Sequence, residues 1–211
     1  MAAPPGEEET YLKGITDVIG RKPFFGGSAA DNAIAGEWTL YTDEAGEFAD
    51  GVTVAFFWGG KITNLFTGAY RETDDVGIIT KVKDKRVLVE IDGKPALKRY
   101  AQWAGVEADS LKGGNLLVYT ITSPLGVKDR LGDLIAIRHP MNGNDDYSMN
   151  IGADLAEKTA VIRMAGSVDE LIKSAGDTPF LMEFTFGEYG YEDDGNNTTG
   201  GLMLSYTAFA E

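Results

Sequence analysis

The chain has 211 residues, 43% of them hydrophobic, with 33 acidic against 19 basic side chains and a formal net charge of -14. That content supports one large folded domain or two small ones, and the negative balance disfavours nucleic acid and anionic membrane surfaces as partners. With no cysteine and the single histidine His139, disulfides, thiolate metal sites and multi-histidine zinc sites are ruled out, which leaves only carboxylate sites for calcium or magnesium.

Met1 to Glu9 is small, proline-containing and acidic, the opposite of a basic signal-peptide start, and no run reaches membrane-spanning length. A cytoplasmic protein is expected, in which Asn196 to Thr199 is not a glycosylation site. Tyr11, Leu12, Ile15, Val18 and Ile19 recur at helical spacing behind three glutamates and ahead of Gly20, which predicts an amphipathic helix. Pro23, Phe24 and Phe25 then run into Gly26 and Gly27, and this reads as a buried strand stopping at a glycine turn. Trp38 to Thr42 predicts a strand and Asp43 to Gly46 a turn. Val52 to Trp58 is apolar on both alternating faces and predicts a central strand buried on both sides.

Ile62 to Tyr70 predicts a further strand, and Ile78 to Val82 pairs with Arg86 to Ile91 across the charged turn Lys83-Asp84-Lys85. Asp92-Gly93 ends that hairpin. Pro95 opens a helix with Leu97, Tyr100, Ala101 and Ala104 inward, and Gly105 stops it. Glu107 to Gly114 is polar and glycine-rich and marks the boundary between an amino-terminal and a carboxy-terminal half. Strands follow at Leu116 to Thr122, Leu134 to Arg138, Tyr147 to Ile151 and Ala160 to Met164. Ser167-Val168-Asp169-Glu170 is a capping box opening a helix with Leu171, Ile172 and Ala175 inward. Phe180 to Phe186 and Leu202 to Phe209 are predicted as closing strands around an acidic loop from Glu188 to Gly201. About ten strands and three helices, with strands following strands, predict an α+β fold with mostly antiparallel or mixed sheets and no dinucleotide-binding motif.

Three stretches together resemble the FIST domain, a sensory ligand-binding module of signalling proteins. They are Phe25 to Asn32 followed by Tyr41-Thr42-Asp43 and Asp50-Gly51-Val52; Asp92 to Leu97 with Tyr100; and Thr185 to Gly190 after Ser123 to Gly126 and Ile137 to Pro140. The resemblance implies a FIST N-like part over 1–106 and a FIST C-like part over 107–211, packed as one unit and shortened relative to typical members. Shortening exposes sheet edges, so a homo-oligomer is expected.

The resemblance also implies a non-catalytic sensor of a small polar molecule, with amino acids as the ligand class and a signalling partner in trans. The residues it carries over for ligand binding are Gly26, Gly27, Ser28, Asp31, Asn32, Arg138, Thr185, Gly187 and Glu188. Asp31 or Glu188 would accept from a ligand ammonium and Arg138 would pair with a carboxylate. The plainer roles for these residues are helix capping for Ser28 or Asp31, a solvated loop carboxylate for Glu188, and a cross-sheet pair for Arg138. Some members of the family sense nitric oxide through haem, which would make His139 a proximal ligand. Its place in Arg138-His139-Pro140 fits the family's ordinary pattern, so a structural histidine and no cofactor are expected. Ser28 lacks a nucleophile-elbow motif and the sole histidine lies over a hundred positions away, which argues against catalysis and leaves only lysine or carboxylate activation open. A compact protein that only self-assembles is the competing reading.

Overall fold

The computed structural model describes residues 2–20, 22, 24–29, 31, 36–59, 61–128, 135–174, 188–191, 198–200 and 203–210. The fold is α+β, and it divides into two compact units, Met1–Gly68 with Lys173–Glu211, and Ala69–Ile172. The expected boundary at 106/107 falls inside the second of these.

In the first unit, β1 (Ala2–Ala3) leads to helix α1 (Glu8–Ile19), which ends on Gly20 at φ +71, where the Gly20 amide donates to Thr16 O. Its inner face is narrower than the periodicity suggests: Leu12 is buried, while Val18 and Ile19 face outward. Strand β2 (Phe24–Ser28) lies in a four-stranded sheet between β1, which runs parallel to it, and β14 (Glu188–Tyr191), which is antiparallel; β15 (Thr198–Gly200) completes the sheet. The predicted loop from Glu188 to Gly201 thus contains two strands. β3 (Leu40–Thr42) and β4 (Gly46–Phe48) form a hairpin across the expected turn, and β5 (Lys61–Gly68) pairs antiparallel with β16 (Met203–Ala210).

Val52 to Trp58 is not a buried central strand. It is irregular and exposed, with Phe56 at 62% and Trp58 at 84% accessibility. Apolar residues on both faces bury a strand only when neighbours hydrogen-bond to it and cover both sides; no named strand pairs with this run among the described residues.

The second unit is built on an eight-stranded sheet, with its strands in the order β10-β9-β13-β6-β7-β12-β11 and β8 attached to β7. β6 (Tyr70–Lys83) and β7 (Val87–Ile91) form the predicted hairpin across Asp84 and Lys85, both at positive φ. Asp92 at φ +53 and Gly93 at φ +70 make the two-residue turn that pairs Ile91 with Lys94 in β8 (Lys94–Pro95). Those signs suit a turn matched to strand twist, and Asp and Gly tolerate them. Helix α2 (Ala96–Ala104) follows directly, with Pro95 at its N-cap and Gly105 left-handed at its C-cap. Ala96, Leu97, Tyr100 and Ala101 are buried in one core with Ile79, Leu88, Ile91, Met149, Ile151 and Val161. The polar stretch after α2 contains a 3₁₀ helix (Ala108–Leu111).

Leu116 to Thr122 is a short helix, α3 (Leu117–Thr120), where a strand was predicted; Asn115 Oδ1 accepts the Leu117 amide and starts it. β9 (Leu125–Lys128) and β11 (Pro140–Gly143) join β10 (Ile135–Arg138), β12 (Met149–Ile151) and β13 (Ala160–Gly166). The capping box opens α4 (Val168–Ser174): Ser167 Oγ accepts the Glu170 amide at 3.2 Å, although Ile172 is exposed rather than inward. Ala175 and the Phe180 to Phe186 strand lie outside the described residues. Among the described residues, no helix is long and apolar enough to cross a membrane.

Candidate functional site

The glycine pair that the sequence places at a turn sits inside an extended strand. Gly27 is flanked on both sides, opposite Ala2 of β1 and Glu188 of β14, and Gly26 is opposite Tyr189 of β14. Backbone groups engaged by two neighbouring strands are not free to cradle a ligand. The register sets Glu188 opposite Gly27 and next to Gly26 in the sheet. Ser28 donates its hydroxyl to Glu8 Oε1 at 3.0 Å, and both residues are buried, at 2% and 5% accessibility. The Glu8 carboxylate also accepts the Gly6 amide at 3.0 Å on each oxygen. A buried carboxylate needs such donors, so this pair ties the start of α1 to the end of β2. Asp31 accepts the amides of Gly36 and Glu37 at 2.7 and 2.8 Å, closing its own loop. Asn32, Thr185 and Gly187 lie outside the described residues, as does the Glu188 side chain.

Arg138 belongs to the second unit. Its Nε donates to the Asp154 carbonyl at 2.9 Å and an Nη to the Ile137 carbonyl at 3.0 Å. The candidate residues are therefore divided between the units. Beside Arg138, His139 has Nδ1 shut off from water without a hydrogen-bond partner, and Nε2 lies 3.5 Å from the Tyr70 hydroxyl, which donates to Ile121 O. The two rings meet edge to face, with centroids 6.2 Å apart. Burial pushes the imidazole pKa down to about 4. An axial haem ligand presents an open nitrogen lone pair to the iron. One nitrogen here is enclosed and the other faces a phenol, so His139 does not fit that role. No cluster of metal-ligating residues occurs among the described residues.

The Asp92 to Tyr100 motif is built tightly. Asp92 Oδ1 accepts the Ile78 amide at 2.8 Å, Oδ2 pairs with Arg99 at 3.0 Å, and the Gly93 amide reaches Thr80 Oγ1 at 2.9 Å. Tyr100, fully buried, donates its hydroxyl to Ser123 O at 2.8 Å, and desolvation pushes its phenol up to about 12.

On the outward side of α2 lies a cleft of about 360 Å³ lined by Lys98, Ala101, Gln102, Val106, Glu107, Ala108, Asp109 and Tyr147. Tyr147 holds φ +63, unusual for a bulky residue. Its carbonyl accepts the Leu97 amide in the uncapped first turn of α2, and its hydroxyl donates to Asp109 at 2.5 Å. That bond, above all, raises the phenol pKa of Tyr147. The ammonium groups of Lys98 and Lys112 stand 4.1 and 4.4 Å from the ring centroid. Neither lysine makes an ion pair among the described residues. Gln102 Oε1 is taken by Arg99 at 3.1 Å, which leaves its amide NH₂ as a donor. Sequence reasoning missed this cleft. The one signal available was the i, i+4 placement of Lys98 and Gln102 opposite the buried face of α2.

The family model of the FIST N domain matches residues 3–94. That stretch is similar to a FIST N domain. The FIST N match ends at Lys94, inside the Asp92 to Leu97 motif. The chain is also similar to "Uncharacterized protein MJ1623" of Methanocaldococcus jannaschii, at 28% identity over 177 residues, covering 77% of this chain. It spans about a third (34%) of that protein's length. No solved structure matches the chain.

Proposed function

We propose that this protein is a non-catalytic sensory domain that binds a small polar molecule of the amino-acid class and reports it to a partner protein in trans. The observation that carries the reading is the FIST N match over residues 3–94, since the family is one of sensory signal-transduction domains. The test is a thermal-shift screen against amino acids, small carboxylates and haem, repeated on Arg138→Ala and Glu188→Ala. A ligand at a hundred times its dissociation constant raises stability by roughly 2.7 kcal/mol, which a melting curve resolves. A hit weakened in both variants supports the residues carried over from the family. A hit unchanged in both keeps the sensory reading and removes those residues from it, and silence across the panel counts against the reading.

One observation favours a second reading, that the protein works by self-assembly: the exposed apolar run from Val52 to Trp58. Contiguous exposed apolar surface marks interaction sites. Light scattering at micromolar concentration is expected to give an oligomer that Phe56→Ser with Trp58→Ser dissociates; a monomeric wild type counts against assembly.

A further inference from the structure

We infer that the cleft between α2 and the 3₁₀ helix is a binding site for a small zwitterion, with the ligand carboxylate at Lys98 and Gln102 and its ammonium at Glu107. The inference deepens the sensory reading and rests on it for the size of the ligand, but it places the site in the second unit on residues that the family resemblance does not single out.

Three features of the cleft argue together. The first is fixed geometry. Tyr147 is held from both ends, its carbonyl by the Leu97 amide at 2.9 Å and its hydroxyl by Asp109 at 2.5 Å. A left-handed tyrosine persists only where its surroundings over-determine it, so the wall it forms is rigid before any ligand arrives. Such preorganisation lowers the entropy cost of binding.

The second is charge. In a chain with 33 acidic and 19 basic residues, neither Lys98 nor Lys112 is paired with a carboxylate among the described residues. Lys98 and Lys112 instead share the face region of one aromatic ring, an attraction that each keeps only weakly at an exposed site. The rim carries Lys98 and, just beyond it, Lys112 as cations, and Glu107 and Asp109 as anions. The lining alone sums to −1, Lys112 at the Tyr147 ring brings the neighbourhood to neutral, and the rim is dipolar. A simple anion gains at Lys98 and loses at Glu107, and a simple cation does the reverse; only a ligand bearing both charges gains at both.

The third is hydrogen-bonding capacity. Arg99 takes the Gln102 carbonyl oxygen, so the amide NH₂ remains as a second donor one helical turn from Lys98. Asp109 has one oxygen committed to Tyr147, whereas Glu107 has no side-chain bond among the described contacts. Ala101, Val106 and Ala108 supply the small apolar floor that a short aliphatic body needs.

The test is amide chemical-shift mapping on the isotope-labelled full chain, with L-alanine, L-glutamate and 4-aminobutyrate as probes and propionate and propylamine as single-charge controls. The rim is exposed, so millimolar affinity is expected. Shifts should cluster at residues 98–109 and at Tyr147, appear with the zwitterions and not with the controls, and weaken several-fold in Lys98→Met and in Glu107→Gln. Both residues are exposed, so both variants should keep the wild-type spectrum elsewhere. Shifts confined to other residues overturn the placement while leaving the sensory reading intact. Equal shifts from propionate, or shifts unchanged in both variants, overturn the zwitterion assignment. No shift from any zwitterion overturns the inference as a whole, and the sensory reading is then decided by the wider thermal-shift panel.

Discussion

Replacing His139 with phenylalanine should make the protein resistant to mild acid without changing its stability at neutral pH. In the folded protein burial lowers the imidazole pKa from 6.5 to about 4, so the unfolded chain takes up this proton more readily. Stability is therefore fully present above pH 6.5 and is lost as pH falls toward 4. At 1.36 kcal/mol per unit, the loss approaches roughly 2 kcal/mol at pH 5 and roughly 3 kcal/mol at pH 4. Phenylalanine keeps the edge-to-face packing on Tyr70 and gives up an enclosed Nδ1 that has no partner. The assay is urea denaturation of wild type and variant at pH 7, 6, 5 and 4.5. Carboxylates titrate in the same range, but they are common to both proteins. Since His139 is the only histidine, the difference between the two curves isolates it. A difference that stays constant from pH 7 to pH 4.5 would refute the argument that this ring is buried neutral.

Substitutions at three further positions probe the second unit. Gly143→Ala places a Cβ 2.2 Å from the Leu111 carbonyl oxygen and 3.0 Å from Leu97; it should cost about 1–3 kcal/mol or more, read as a lower denaturation midpoint. Asp92→Ala removes the acceptor for the Ile78 amide and the Arg99 pair and should cost about 1–2 kcal/mol, with Asp92→Asn milder because asparagine tolerates φ +53. Tyr100→Phe leaves the Ser123 carbonyl without its donor and should cost about 1 kcal/mol; in the wild type, an ultraviolet titration should show one phenol resisting ionisation until about pH 12.

Much of the fold was legible because it is written locally. The helix of residues 96–104 is announced by a proline at its start, a glycine at its end and Leu97, Tyr100 and Ala101 at helical spacing. The Lys83 to Lys85 and Asp92-Gly93 turns are announced by residues that accept positive φ. Two elements misled for different reasons. Leu116 to Thr122 is a short apolar run, which periodicity cannot assign to strand or helix; the Asn115 side chain decides it by capping the Leu117 amide. Val52 to Trp58 has the pattern of a doubly buried strand, but a pattern states what a segment would bury and not whether neighbours arrive to cover it. The glycine pair misled because Gly-Gly after an apolar run suits a turn as well as a strand flanked on both sides. The cleft was illegible for a simpler reason: Tyr147 meets Asp109 across 38 positions, and no local spacing encodes that meeting.

The Asp92 to Tyr100 motif has a physical role that its hydrogen bonds make plain. Both carboxylate oxygens of Asp92 are committed within the second unit, to the Ile78 amide and to Arg99, so this residue has little left to offer a ligand. Its work is to hold the two-residue turn and so fix where α2 begins. Once α2 begins at Ala96, the 3.6-residue period that buries Leu97, Tyr100 and Ala101 sends Lys98 and Gln102 outward. The motif thereby sets the pitch of the exposed face that lines the cleft. A binding defect in Asp92→Ala would then report a displaced helix rather than a lost contact. Lys98→Met, which leaves the buried face untouched, separates the two: a defect in Asp92→Ala that Lys98→Met reproduces without loss of stability assigns the binding to the cleft and the motif to its support.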